Sequence, residues 1–128
     1  MNQFQPPILV LLKDCGEMIR FNSVRDMQRD FEQIDVENDE YQAWDATGTP
    51  LHLSVQKGAE WLRVETSGTP APKRLADAIR EFARLEEVQL ESSALDLGDF
   101  TGALEQVAAA IRLKRDAESW WQKLKRRF

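Results

Sequence analysis

The apolar positions of this chain switch between a two-residue and a three-to-four-residue period, and each switch falls at turn-forming residues. Ile8 to Lys13 is apolar and rich in β-formers, Asp14-Cys15-Gly16 interrupts it, and Glu17 to Phe21 resumes it. That pattern predicts a β-hairpin or two short strands. Ser23 is then placed to cap a helix with Asp26 at its third position, and Val24, Met27, Phe31 and Ile34 follow at helical spacing. This first helix should end near Asp35.

After a polar stretch, Tyr41 to Ala46 leads to a turn at Thr47-Gly48, and Leu51, Leu53 and Val55 alternate with His52, Ser54 and Gln56. Lys57-Gly58 turns again, and Leu62 and Val64 alternate with Trp61, Arg63 and Glu65. Residues 41–66 therefore predict a three-stranded antiparallel meander with one apolar face. Thr69 and Pro70 are suited to open a helix with Leu75, Ala78, Ile79, Phe82 and Leu85 as its buried stripe. Val88 to Leu90 reads as one more short strand, Ser92 to Asp99 as a loop, and a last helix starts near Phe100.

The pattern predicts an α+β fold, an antiparallel sheet with helices packed on one face and a long C-terminal helix. Residues 1–99 form the body, and residues 100–128 form an amphipathic helix that either joins the same domain or projects from it. Its stripe changes direction. Phe100, Leu104, Val107 and Ile111 share one narrow arc, whereas Leu113, Ala117, Trp120, Leu124 and Phe128 lie on an arc rotated by roughly 120°. A straight helix cannot bury both arcs against one flat surface, so it breaks near Arg112 to Arg115 or its second half leaves the body.

Charge follows the same division. From Ala110 onward seven bases face Asp116 and Glu118, a balance of plus five, while residues 1–109 carry ten bases against twenty acids, or minus ten. The two parts are therefore suited to different partners. The length of 128 residues fits one domain with its own core, and 42% hydrophobic with 30% charged residues is a globular composition. The longest apolar runs, Ile8 to Leu12 and Val107 to Ile111, are five residues each, far below the about 20 that cross a bilayer. Ile8 to Leu12 has neither the preceding base nor the cleavage site of a signal peptide, so the chain is expected to stay in the cytosol. A single cysteine, Cys15, excludes an internal disulfide.

Catalytic and metal chemistry finds little to use. With one histidine, His52, and one cysteine, a closed zinc site within the chain is excluded. The acidic run from Asp35 begins like an EF-hand loop but has Glu40 where the loop needs glycine and Ala46 where it needs glutamate. Cys15 and His52 would make a thiol–imidazole pair only with an orienting third group that nothing identifies. Ser67 to Lys73 lacks the glycine spacing of a phosphate loop and reads as a strand-to-helix connection. No cofactor is expected, and the chain is read as a non-enzyme.

Recognition is better served. Between Asp35 and Asp45 lie Asp35, Glu37, Asp39, Glu40 and Asp45 with no base among them, beside Tyr41 and Trp44. Glu37, Asp39, Glu40, Tyr41, Trp44 and Asp45 are the candidate partner-binding residues, with carboxylates steering a basic partner and aromatic area anchoring it. In the tail, Trp120, Trp121, Leu124 and Phe128 are the candidate contact residues. They can pack on the body or on a second copy of the chain, or lie in a membrane surface. Contact with nucleic acid through Lys123, Lys125, Arg126 and Arg127 is opposed by the minus ten of the rest.

Phe21-Asn22-Ser23-Val24-Arg25-Asp26-Met27, the run Ile34-Asp35-Val36-Glu37-Asn38-Asp39-Glu40-Tyr41, Trp44-Asp45-Ala46-Thr47-Gly48, the strand at Leu51 and the helix from Lys73 to Leu85 together resemble small bacterial immunity-type proteins encoded beside secreted or contact-delivered toxins. The resemblance covers about half of the chain and leaves the tail outside. It implies an α+β protein that binds and blocks a cognate toxin, with no catalytic signature. The expected function is thus an acidic binding module, an immunity protein or antitoxin. The alternatives are a self-associating structural or adaptor protein assembled through the C-terminal helix, and a small enzyme with a pocket the sequence does not reveal.

Overall fold

The computed structural model describes residues 4–126, with the side chains of Ser92, Lys123 and Arg126 outside the described set. Strands β1 (Ile8–Leu12) and β2 (Met18–Phe21) form the expected hairpin, followed by α1 (Val24–Asp30) and α2 (Gln33–Glu37). Strands β3 (Tyr41–Trp44), β4 (Pro50–Val55) and β5 (Leu62–Thr66) form the expected meander. Helices α3 (Pro72–Leu85), α4 (Ser92–Asp96) and α5 (Phe100–Arg126) complete the chain. The five strands make one antiparallel sheet in the order β2-β1-β3-β4-β5. The α+β class and the long C-terminal helix are as predicted.

The helices expected on one face are divided between two. Ile8, Val10, Phe21, Ala43, Leu51, Leu62 and Val64 point to one side, where they meet Met27, Phe31 and Val36 of the α1–α2 segment. Leu9, Met18 and Trp44 point to the other, where they meet α3, α4 and the first part of α5. The sign was in β1, whose Ile8, Leu9 and Val10 are all fully buried. A strand with consecutive apolar residues is covered on both faces. The second layer stops short of β4 and β5, where His52 and Arg63 reach solvent on that side.

Local differences from the sequence reading have local causes. Ser23 caps α1 as expected, its Oγ accepting the Asp26 N–H at 3.2 Å. The helix stops at Phe31, however, whose extended backbone (φ −97°, ψ 146°) lets the ring join the core and restarts the chain as α2. Val36 is therefore buried, while Ile34, expected in the stripe, is exposed. Helix α3 starts at Pro72 rather than Pro70, because Ala71, as the residue before a proline, is kept out of the helical region (φ −130°, ψ 62°), and its N–H meets the Gly48 carbonyl at 3.0 Å. The loop expected at Ser92–Asp99 contains α4, and Val88–Leu90 pairs with no strand.

Both α2 and α3 end in a Schellman turn with an acidic residue in the left-handed conformation normally left to glycine. At α2, Asp39 (φ 56°) donates to Val36 O and Glu40 to Asp35 O; at α3, Glu87 (φ 55°) donates to Arg84 O and Val88 to Ala83 O. Left-handed backbone costs a non-glycine residue about 1–2 kcal/mol. Glu87→Gly is expected to raise stability in urea denaturation by about 1 kcal/mol, since the exposed contact it forfeits with Lys114 is worth less. The opposite change, Gly16→Ala, is expected to lower it, because φ is +77° there and an added Cβ would lie 2.6 Å from Leu85 Cδ1.

Candidate functional site

The candidate residues between Glu37 and Asp45 do not share one surface. Tyr41 and Trp44 are three apart on β3, and successive strand residues face opposite sides, so the two rings sit on opposite faces of the sheet. Trp44 is 1% exposed in the core beneath α3 and α5, and its indole N–H has no hydrogen-bond partner among the described residues. It cannot anchor a partner, which corrects its place among the binding residues.

Asp45 is corrected too, since it is buried and its carboxylate is fully occupied. Its Oδ1 accepts from the Thr47 N–H (2.9 Å), the Thr47 hydroxyl (2.7 Å) and the Thr49 N–H (3.0 Å), and Oδ2 accepts from the Gln5 N–H (3.0 Å). These bonds shape the loop at Gly48, whose carbonyl holds the start of α3. Burial pushes the Asp45 carboxyl up, but the hydrogen bonds from Gln5, Thr47 and Thr49 outweigh it and hold it below its usual value.

Glu37, Asp39 and Glu40 are exposed, as the sequence reading required. Tyr41 is half-buried, stacked on Phe31 with ring centroids 4.0 Å apart and planes 7° from parallel. Its hydroxyl donates to Asp35 Oδ2 at 3.2 Å. Burial first, then the charge of Asp35, push the phenol up to about 12, so it stays a neutral donor at physiological pH.

Tyr41 stands between two depressions. One, of about 250 Å³, is lined by Lys13, Val36, Asp39, Gln42, Leu51, His52 and Leu53. Lys13 and Asp39 pair beside it at 3.1 Å, so its charges are mixed. The other, of about 260 Å³, has Leu12, Ile19, Phe21, Phe31 and Tyr41 as its apolar lining and Asp14, Asp30, Asp35 and Glu40 as its polar lining. No base lines it. The carboxylates crowd one another: a hydrogen-bonding contact with Asp35, then burial and the charges of Asp35 and Asp14, raise the Glu40 carboxyl above its usual value. Among the described residues no group of three His, Cys, Asp or Glu side chains is spaced to hold a metal ion.

This groove combines aromatic rings with four carboxylates and no base. Sequence reasoning found Glu40 and Tyr41 but missed Asp14, Asp30, Leu12, Ile19, Phe21 and Phe31, which come from the β1–β2 hairpin and α1. Cys15 is exposed in the hairpin turn and lines neither depression, whereas His52 lines the mixed-charge one.

In the tail, α5 is one continuous helix. Its first part is buried through Ile111, and residues 112–122 are exposed. The helix does not break; its second half leaves the body. Trp120 and Trp121 are 56% and 57% exposed and meet edge to face at 5.2 Å, and Leu124 is half-buried. Phe128 lies outside the described residues. No described helix is long and apolar enough to cross a membrane.

No family model, curated protein or solved structure matches the chain. Two titrations separate the structural carboxylate from the surface one. Asp45 has a lowered folded value, so its stabilisation is present above the unfolded value and lost as pH falls through the folded one. Asp45→Ala is expected to cost about 2–3 kcal/mol at neutral pH, and the difference from the parent should shrink below about pH 4. Glu40 has a raised value, so stability is lost as pH rises from the unfolded to the folded value. Glu40→Gln should therefore stabilise at neutral pH and not below that window, as read by thermal melts across pH.

Proposed function

We propose that this chain is a non-enzymatic binding protein whose acid-rimmed groove receives an aromatic side chain flanked by bases from another protein, and that it neutralises a basic toxin in the cytosol by covering it. The observation that supports the reading most is the groove itself. Phe21, Phe31, Tyr41, Leu12 and Ile19 offer apolar area, four carboxylates surround it, and no base lines it. Its volume of about 260 Å³ is below the about 300–1,000 Å³ of typical small-molecule sites, and it suits one inserted side chain.

The physics has two stages. The carboxylates, with Glu37 and Asp39 exposed alongside, raise the rate of encounter with a positive surface. Burial of an aromatic group against the Phe31–Tyr41 stack then sets the lifetime of the complex. Toxin neutralisation is supported by the immunity-type resemblance, and the matching charge is that of a protein built to act on phosphates, whose basic cleft an acidic surface would fill.

A fluorescein-labelled peptide of alternating lysine and tryptophan tests the groove. Saturable, salt-sensitive binding is expected, weaker for the same peptide with alanine in place of tryptophan. Replacing Asp14, Asp30 and Glu40 by lysine should slow association about tenfold or more at low salt. Equal rates for parent and triple variant would remove the groove from recognition. In cells, toxicity of the adjacent reading frame's product should be relieved by the parent and not by the triple variant; absence of rescue by the parent would overturn the toxin reading.

A further inference from the structure

Beyond Lys114, residues 115–122 of α5 are exposed. Lys114 is a last tie to the body, its Nζ donating to Glu86 O at 3.2 Å and lying 3.6 Å from Glu87 Oε2 at the end of α3. From there to Arg126 the helix runs on for about 18 Å at 1.5 Å per residue. Leu113 is 71% exposed, and its stripe with Ala117, Trp120 and Leu124 is turned roughly 120° from the face that Val107 and Ile111 bury.

Two tails would pair poorly with each other, because seven bases against two acids would meet their like. The opposite of the tail, in charge and in shape, is the acid-rimmed groove. The tail offers an indole at the centre of a narrow apolar stripe with bases flanking it. The groove offers a cavity the size of one side chain, floored by aromatic rings and surrounded by carboxylates. A molecule cannot fill its own groove, since α5 is anchored on the Leu9–Trp44 face of the sheet and the groove opens on the Phe21–Phe31 face. An uninterrupted helix leading away from the body does not turn back across the sheet.

We propose that the protruding half of α5 docks in the groove of a second copy of this chain, with Trp120 on the Phe31–Tyr41 stack and the tail's bases facing Asp14, Asp30, Asp35 and Glu40. The contact joins two different surfaces, so two copies close a pair by exchanging tails or build a chain by passing them on. The inference rests on reading the groove as a recognition surface, and adds that the protein carries an imitation of its own partner. A basic partner then enters by displacing a tail.

Sedimentation velocity of the full chain over a range of concentrations, at low and high salt, tests this. Concentration-dependent association that weakens with salt is expected. Trp120→Ala and, separately, Asp30→Lys with Glu40→Lys should each weaken it about tenfold or more, with circular dichroism unchanged. A mixture of the two variants should regain association, because one supplies an intact groove and the other an intact tail. A full chain that stays monomeric, including one that instead binds phosphatidylserine vesicles, overturns the proposal. So does association that survives the groove substitutions, or a mixture that fails to recover. If self-association fails while the lysine–tryptophan peptide still binds, the tail inference falls and the groove reading stands; if the peptide fails too, both fall.

Discussion

The architecture depends on the burial of β1 from both sides. Ile8, Leu9 and Val10 are fully buried in succession, so the strand sends alternate side chains into two separate cores. A strand in that position needs a layer on each face. The α1–α2 segment supplies one and α3, α4 and α5 supply the other. This division also puts the groove and the protruding helix on opposite faces of one sheet.

Charge is arranged on that scaffold with little internal compensation. Asp14 comes from the β1–β2 turn, Asp30 from the end of α1, Asp35 from α2 and Glu40 from the approach to β3, and all four line one depression. Asp35 accepts from the Tyr41 hydroxyl and makes a hydrogen-bonding contact with Glu40. The hydrogen-bonding contact with Asp35, then burial and the charges of Asp35 and Asp14, raise the Glu40 carboxyl, so its ionised form opposes folding at neutral pH, whereas Asp45, buried and bonded to four donors, favours it. Two acids five positions apart thus do opposite work. One organises a loop, and the other keeps a surface strongly negative.

Much of the fold was legible, for reasons that lie in particular residues. The hairpin was readable because a continuous run of apolar β-formers stops at Asp14-Cys15-Gly16, and the meander from Tyr41 to Thr66 because period-two alternation stops at turn residues. The bend in the apolar stripe near Arg112 left a break or a departure from the body open, and the helix runs on unbroken with residues 112–122 exposed. The break at Phe31 was hidden, since Val24, Met27, Phe31 and Ile34 keep helical spacing through it. Pro70 and Pro72 are both tolerated in a first turn, but Pro72 keeps the preceding Ala71 out of the helix, and the Gly48–Ala71 hydrogen bond holds it there. The site was half legible. Strand parity alone separates Tyr41 from Trp44, but the approach of Asp14 and Asp30 to Glu40 depends on strand order, which one sequence does not state.

The central claim is that recognition is concentrated in the acidic, aromatic groove between the β1–β2 hairpin and α1–α2. Amide and side-chain chemical-shift mapping by NMR, with the lysine–tryptophan peptide added to isotope-labelled chain, addresses it most directly. Shifts centred on Ile19, Phe31, Glu40 and Tyr41, with Trp44, Leu75 and Val107 undisturbed, are the predicted result. Shifts absent from the groove, or centred on the α3–α5 face, would contradict it.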